Sequence, residues 1–187
     1  MEALDHILKK HWNYDSFRPQ QLAVIESILA GKDTLALLPT GAGKSICFQV
    51  PTIFQRGICI VISPLIALMQ DQVKDLVSKN LKAVLLGSQL SAQEESIVFK
   101  EIEAKKYQFI YCSPEKLAQK HFQTLLSGLP IQLFAIDEAH CISQWGYDFR
   151  PSYRKLDFIK KTFPTIPILA MTASAIPLVQ KDMLVQL

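Results

Sequence analysis

The four cysteines of this 187-residue chain, Cys47, Cys59, Cys112 and Cys141, lie far apart. That spacing excludes the paired-cysteine pattern of a structural zinc module or a redox dithiol, and leaves each thiol as a small apolar core residue. Long apolar runs are also missing, since nothing approaches the roughly 20 residues needed to span a membrane. Residues 1–10 mix charged and apolar side chains, which is unlike a secretory leader, so a reducing cytoplasm is the expected compartment. A strong charge bias is absent too: a formal net charge of +3 neither requires nor excludes a polyanionic partner. No internal repeat, linker or low-complexity tract interrupts the chain. What is present is 49% hydrophobic and 20% charged, a composition that folds, at a length that fits one domain.

Short apolar runs at Thr34–Leu38, Ile58–Ile62, Ala83–Leu86, Phe109–Cys112, Leu133–Ile136 and Ile168–Met171 read as strands, with longer helical patterns between most of them. Such alternation predicts an α/β fold with a parallel sheet. The runs lack polar alternation, which predicts helices on both faces of the sheet and no wet side to a strand. Leu22, Ile25, Ile28 and Leu29 form one helical stripe, with Pro19 in the first turn and Gly31 at the stop. Ser91 and Glu94 have capping-box spacing and start a second helix over Ala92–Ala104. The segment after Met171 reads as a further helix.

The first strand runs into Pro39-Thr40-Gly41-Ala42-Gly43-Lys44-Ser45, followed by a helix that carries Ile46, Phe48 and Val50. Strand, glycine-rich loop and helix in that order make a phosphate cradle. Backbone amides of Thr40, Gly41, Ala42 and Gly43 can turn toward a phosphate, Lys44 can reach the outer phosphates, and the Ser45 hydroxyl can hold magnesium. Leu38 stands where the usual pattern has its first glycine. The simpler reading, a glycine-rich turn with an incidental lysine, does not account for the flanking strand and helix.

A later apolar strand delivers Asp137-Glu138-Ala139-His140 at its carboxyl end. Ligands in open parallel sheets collect at that end of the strands, so both carboxylates are expected to face the phosphate loop. Asp137 is expected to hold magnesium through its hydration shell, and Glu138 to orient or deprotonate the water that attacks the γ-phosphate. Seen alone, an Asp-Glu pair after a strand is an ordinary helix start; paired with the loop it completes an ATP site. His140 reads as a coupling residue in this tetrad, not as a zinc ligand.

These motifs resemble those of superfamily 2 helicases, and further segments resemble the RecQ family across nearly the whole chain. The resemblance implies a RecA-like P-loop NTPase fold. Phe17-Arg18-Pro19-Gln20-Gln21 is similar to the family's motif 0, which implies that Gln21 hydrogen-bonds the adenine edge while Tyr14 and Arg18 pack on its faces. Ser63-Pro64-Leu65-Ile66-Ala67-Leu68-Met69-Gln70-Asp71-Gln72 is similar to motif Ia and Tyr111-Cys112-Ser113-Pro114-Glu115 to motif Ib. By that likeness Ser63, Gln70 and Ser113 grip a nucleic-acid backbone, although each segment alone is an ordinary loop.

Cys141-Ile142-Ser143-Gln144-Trp145-Gly146-Tyr147-Asp148-Phe149-Arg150-Pro151 matches the aromatic-rich loop of RecQ helicases. The match implies stacking faces from Trp145 and Phe149, a phosphate partner in Arg150, and Ser143 and Gln144 relaying polymer occupancy to the ATP site. Its glycine and charged members argue against a purely buried aromatic stripe. Leu169-Ala170-Met171-Thr172-Ala173-Ser174-Ala175 resembles motif III, which gives the Thr172 hydroxyl a coupling role. Ala42 stands where a third glycine or a serine is common, and Ser174 where threonine is usual.

The resemblance therefore implies a lobe of a 3′-to-5′ DNA helicase that uses ATP and Mg2+, acts on single-stranded and partly duplex DNA, and works in replication, recombination or repair. Its compartment would be the bacterial cytoplasm, with the nucleoid, or a eukaryotic nucleus, with no membrane partner. Residues 1–187 are expected to be the first RecA-like lobe, with a second lobe, a zinc module and a winged-helix module lying outside it; one lobe alone is expected not to unwind. Two other readings stay open at this point: an RNA helicase lobe of the same superfamily, and a non-catalytic nucleic-acid-binding module that uses ATP as a switch.

Overall fold

A computed structural model describes residues 2–87, 89–145 and 148–187. The six apolar runs form β1 (Thr34–Leu37), β2 (Ile58–Ile62), β3 (Ala83–Leu86), β4 (Phe109–Cys112), β5 (Ile131–Ile136) and β6 (Ile168–Thr172). They hydrogen-bond in the order β1-β6-β5-β2-β4-β3, and all the pairings are parallel. Parallel neighbours need crossovers, and helices supply them. Among the described residues the helices are α1 (Glu2–Trp12) and α2 (Pro19–Leu29) before β1, α3 (Ile46–Gln55), α4 (Ile66–Ser78), α5 (Ala92–Glu103), α6 (Pro114–Leu117), α7 (Lys120–Ser127) and α8 (Phe158–Thr162) between strands, and α9 (Pro177–Gln186) after β6, with 3-10 turns at Ala139–Ile142 and Pro151–Asp157.

Alternation along β2 sorts the core into two layers. Ile58, Ile60 and Ile62 pack with residues of α5, α7 and α9, whereas Cys59 and Val61 pack with residues of α2, α3 and α4. Helices thus cover both faces, as the unbroken apolar strands require. Truncating a fully buried residue such as Ile60 to alanine removes contacts on a close-packed face and costs about 2–5 kcal/mol.

The differences from the sequence reading lie at edges. β1 closes one side of the sheet and leaves Leu37 40% exposed, so the expectation of no wet strand side fails there. β5 begins at Ile131 rather than Leu133: Gln132 breaks the apolar run, but its aliphatic stem lies so close to Gly57 that a Cβ there would collide with it. The buried stripe of α2 is Gln21, Val24, Ile25 and Ile28, while Leu22 and Leu29 are half-buried. Gly31 ends that helix with φ 74°, a left-handed conformation that favours glycine. The capping box forms as expected, with Glu94 N donating to Ser91 Oγ at 3.3 Å and Ser91 N donating to Glu94 Oε2 at 2.8 Å. After β6 the chain turns before α9 starts at Pro177, so helix does not follow Met171 directly.

Candidate functional site

The carboxyl ends of the strands carry the candidate residues. The phosphate loop follows β1, Ser63 follows β2, Ser113 follows β4, Asp137 follows β5 and Thr172 closes β6. Because β1, β6 and β5 are neighbours, the loop, the motif III hydroxyl and the acidic pair share one crevice.

Gly41 and Gly43 adopt φ values of 79° and 73°, which place successive backbone groups on the inside of the turn. A Cβ at Gly43 would sit 2.5 Å from Gln21 Nε2. Gln21 is buried beneath the loop, and its Nε2 donates to the carbonyls of Ala42 at 2.8 Å and Gly43 at 3.2 Å, while its Oε1 accepts from Arg18 N at 3.0 Å. Arg18 Nη1 donates to Gly41 O at 2.8 Å. Motif 0 is therefore bonded to the phosphate loop, with the Gln21 amide turned to backbone, and Tyr14 is exposed. Leu38 and Ala42, the two departures from the usual loop pattern, both pack into the core, which explains apolar residues there. Thr40 is exposed, and Lys44 and Ser45 are half-buried at the entry to α3.

The acidic pair faces this loop. Lys44 Nζ lies 3.9 Å from Glu138 Oε1. Glu138 adopts φ 48°, ψ 44°, a left-handed conformation unusual for a side-chain-bearing residue and costing about 1–3 kcal/mol. Burial, reinforced by the adjacent Glu138 carboxylate, raises the Asp137 carboxyl above its ordinary range, and Lys44 partly offsets this. His140 Nδ1 lies 2.8 Å from Thr172 Oγ1 and 3.3 Å from Glu138 Oε2, so motif III and the acidic turn meet at one imidazole. Burial lowers the His140 pKa, against the opposing pull of the Glu138 carboxylate.

One contact has no precedent in the sequence reading. Tyr153, fully buried on the second 3-10 turn, donates its hydroxyl to Asp137 O at 2.9 Å. The segment that follows the aromatic loop is thereby tied to the backbone of the acidic pair. Only the position of Tyr153 in a short apolar-and-basic stretch marks it in sequence, and that carries no functional signal.

The loop itself departs from expectation in detail. Gln144 Oε1 accepts from Arg154 Nη2 at 2.9 Å. Arg154 also covers the Phe149 ring at 5.2 Å, so that face is occupied from within the chain. Trp145 is 59% exposed, held by its N–H to the buried Ser143 hydroxyl at 3.2 Å. Arg150 pairs with Asp148 at 3.2 Å. Gly146 and Tyr147 lie outside the described residues. On the other loops, Ser63 Oγ accepts from Leu65 N at 3.4 Å, Ser113 Oγ caps α6 through Lys116 N at 3.3 Å, and Gln70 is half-buried on α4.

Comparison with known proteins agrees with this geometry. The family described as DEAD/DEAH box helicase matches residues 18–182. This chain belongs to that family. It is 46% identical over 176 residues to "Probable ATP-dependent DNA helicase RecS" of Bacillus subtilis (strain 168), covering 94% of this chain and 35% of that protein. It is 43% identical over 182 residues to ATP-dependent DNA helicase RecQ of Pasteurella multocida (strain Pm70), covering 97% of this chain and 29% of that one. The chain thus spans about a third of the length of these relatives. The helicase MrfA, solved with DNA and AMPPNP, shares the fold at a TM-score of 0.75 and 18% identity, over 98% of this chain and 28% of that one. No helix among the described residues is long and apolar enough to cross a membrane.

Proposed function

We propose that this helicase-family chain is the ATP-binding first lobe of a RecQ-type DNA helicase, coupling ATP hydrolysis to movement on single-stranded DNA. The observation that carries this reading is the convergence at one crevice of Lys44, Glu138, His140 and Thr172, with Tyr153 joining the aromatic loop to the same acidic pair. Each link spans a separate motif, and together they form a path from a polymer-facing loop to the hydrolytic carboxylate.

The residues divide the work. Backbone groups of Thr40, Gly41, Ala42 and Gly43 cradle the phosphates, and Lys44 moves from Glu138 onto the outer phosphate oxygens. Glu138, released from that pairing, holds the attacking water and takes its proton. Arg18, Gln21 and Tyr14 line the approach for the base; adenine reading by Gln21 requires its amide to exchange the carbonyls of Ala42 and Gly43 for the ring edge. A divalent cation fits the donor set, because a carboxylate whose pKa is raised by burial and then by a second carboxylate is stabilised by added positive charge. Ser45 and Asp137 would hold Mg2+, which when bound offsets the charge of the phosphates.

On the polymer side, Trp145 offers an exposed stacking face and Arg150 a cation, with Ser63, Gln70 and Ser113 on the neighbouring loops. Duplex unwinding belongs to the whole protein, in which a second lobe would close the crevice. The site of action is the compartment that holds DNA.

The test is ATP hydrolysis by this chain without polymer, with single-stranded DNA and with RNA, using Glu138→Gln as the blank. Stimulation by DNA above RNA is expected. Preferential stimulation by RNA would replace the DNA reading with the RNA helicase one, and hydrolysis that persists in Glu138→Gln would remove the assigned catalytic carboxylate.

A further inference from the structure

The turn after β5 brings together three side chains of a different chemical kind from the oxygen donors of the nucleotide crevice. His140 and Cys141 lie on the 3-10 turn Ala139–Ile142, and Asp148 returns to them across the loop; one donor atom from each falls within 4.8 Å of the other two. Cys141 Sγ is 3.7 Å from Asp148 Oδ2. A zinc ion bound at about 2.3 Å to sulfur and about 2.1 Å to oxygen in tetrahedral geometry sets those two atoms about 3.6 Å apart. The sulfur–oxygen separation therefore already matches one edge of the coordination polyhedron, and the imidazole has at most about 1.4 Å to close.

We propose that His140, Cys141 and Asp148 form a binding site for a thiophilic divalent cation, zinc in the first instance, which pins the aromatic loop to the acidic turn. The donor set of one nitrogen, one sulfur and one oxygen selects zinc or cobalt over magnesium, and three protein ligands leave a fourth position for water. As the metal–sulfur bond forms, the Cys141 thiol proton leaves to solvent. Arg150 Nη2 donates to Asp148 Oδ2 at 3.2 Å, an outer partner of the kind that orients a metal ligand, and His140 Nδ1 lies 2.8 Å from Thr172 Oγ1. The same two contacts hold His140 and Asp148 near Cys141 without any cation.

The site differs from the oxygen-donor site assigned to Ser45 and Asp137 in both ligands and consequence. Occupancy would fix Asp148, and with it the loop bearing Trp145, against the turn that holds Glu138. The inference does not depend on the DNA reading, because it concerns cation binding by the folded chain.

Cobalt provides the probe, since Co2+ bound by a thiolate in tetrahedral geometry gives a sulfur-to-metal charge-transfer band and visible d–d bands that oxygen-only binding lacks. Titration of this chain with Co2+ is expected to develop both, to saturate at one equivalent and to be reversed by Zn2+. Cys141→Ser should abolish the charge-transfer band, and Asp148→Asn should weaken cobalt binding at least tenfold. Cobalt bound in the nucleotide crevice would show no thiolate band and would survive Cys141→Ser. Should Cys141→Ser fail to fold, as judged by circular dichroism, Asp148→Asn decides. A folded chain that gives no thiolate band with Co2+, a band that persists in Cys141→Ser, or unaltered cobalt binding in Asp148→Asn overturns the proposal.

Discussion

The phosphate loop and the loop after the acidic turn are both irregular segments at the same end of the sheet, yet they are held in opposite ways. Residues 39–45 rest on the core: Leu38 and Ala42 are buried in it, and the buried Gln21 amide bonds to two loop carbonyls from below. Gln144 and Asp148 are held by side-chain links near the surface, to Arg154 and to Arg150, and Trp145 between them is largely exposed. A cradle for phosphates gains from being formed in advance, since donors fixed by the fold need no reorganisation when the ligand arrives. A loop proposed to report polymer occupancy needs more than one arrangement, and exposed side-chain links permit that.

Substitutions should separate the two regions. The largest effect is expected from Gly43→Ala, which adds a Cβ 2.5 Å from Gln21 Nε2 at a φ of 73°. Displacing the loop should abolish nucleotide binding and cost about 1–3 kcal/mol of stability, measured by ligand titration and chemical denaturation. Tyr153→Phe leaves the Asp137 carbonyl without its 2.9 Å donor, for a loss of about 1–3 kcal/mol. It should also reduce polymer-stimulated hydrolysis while leaving the KM for ATP unchanged, because it removes one tie between the segment after the loop and the acidic pair without touching the cradle.

A stabilising change is expected at Asp137. Burial and Glu138 raise its pKa in the folded chain, so the folded state holds the proton more tightly than the unfolded one. Its contribution to stability is therefore favourable in acid and falls as pH rises through the carboxylate range. Asp137→Asn, uncharged throughout, should raise the denaturation midpoint at neutral pH, with the gain shrinking as pH falls through the raised folded pKa and gone once pH is below the usual carboxylate range, while hydrolysis is lost. Denaturation curves at the two pH extremes check the sign. The smallest effect on the fold should come from Trp145→Ala: within about 0.5 kcal/mol in stability, but with single-stranded DNA binding weakened by about 1–3 kcal/mol.

What sequence can and cannot disclose follows the same division. The strands and the phosphate loop are legible because their determinants are contiguous: an apolar run, two glycines and a lysine. The acidic pair is legible because the end of a parallel strand fixes where it must lie. Gln21 is only half legible, since its pattern suggests a ligand contact while its burial under the loop depends on how α2 packs against α3. Tyr153 and the Arg154 cover on Phe149 are invisible in sequence, because each rests on a side-chain meeting across separate turns that no local spacing encodes. β5 extends beyond its apolar run for a related reason, as Gln132 finds room for its stem only because Gly57 lies beside it.

The central claim is that Lys44 and Glu138 share one site in different roles, Lys44 gripping phosphate and Glu138 acting on water. Equilibrium binding of a fluorescent ATP analogue with Mg2+ to the parent chain, Lys44→Ala and Glu138→Gln tests it most directly. The account predicts that Lys44→Ala lowers affinity at least tenfold while Glu138→Gln binds as tightly as the parent. Equal affinity in both variants would contradict the account and place the phosphate cradle elsewhere.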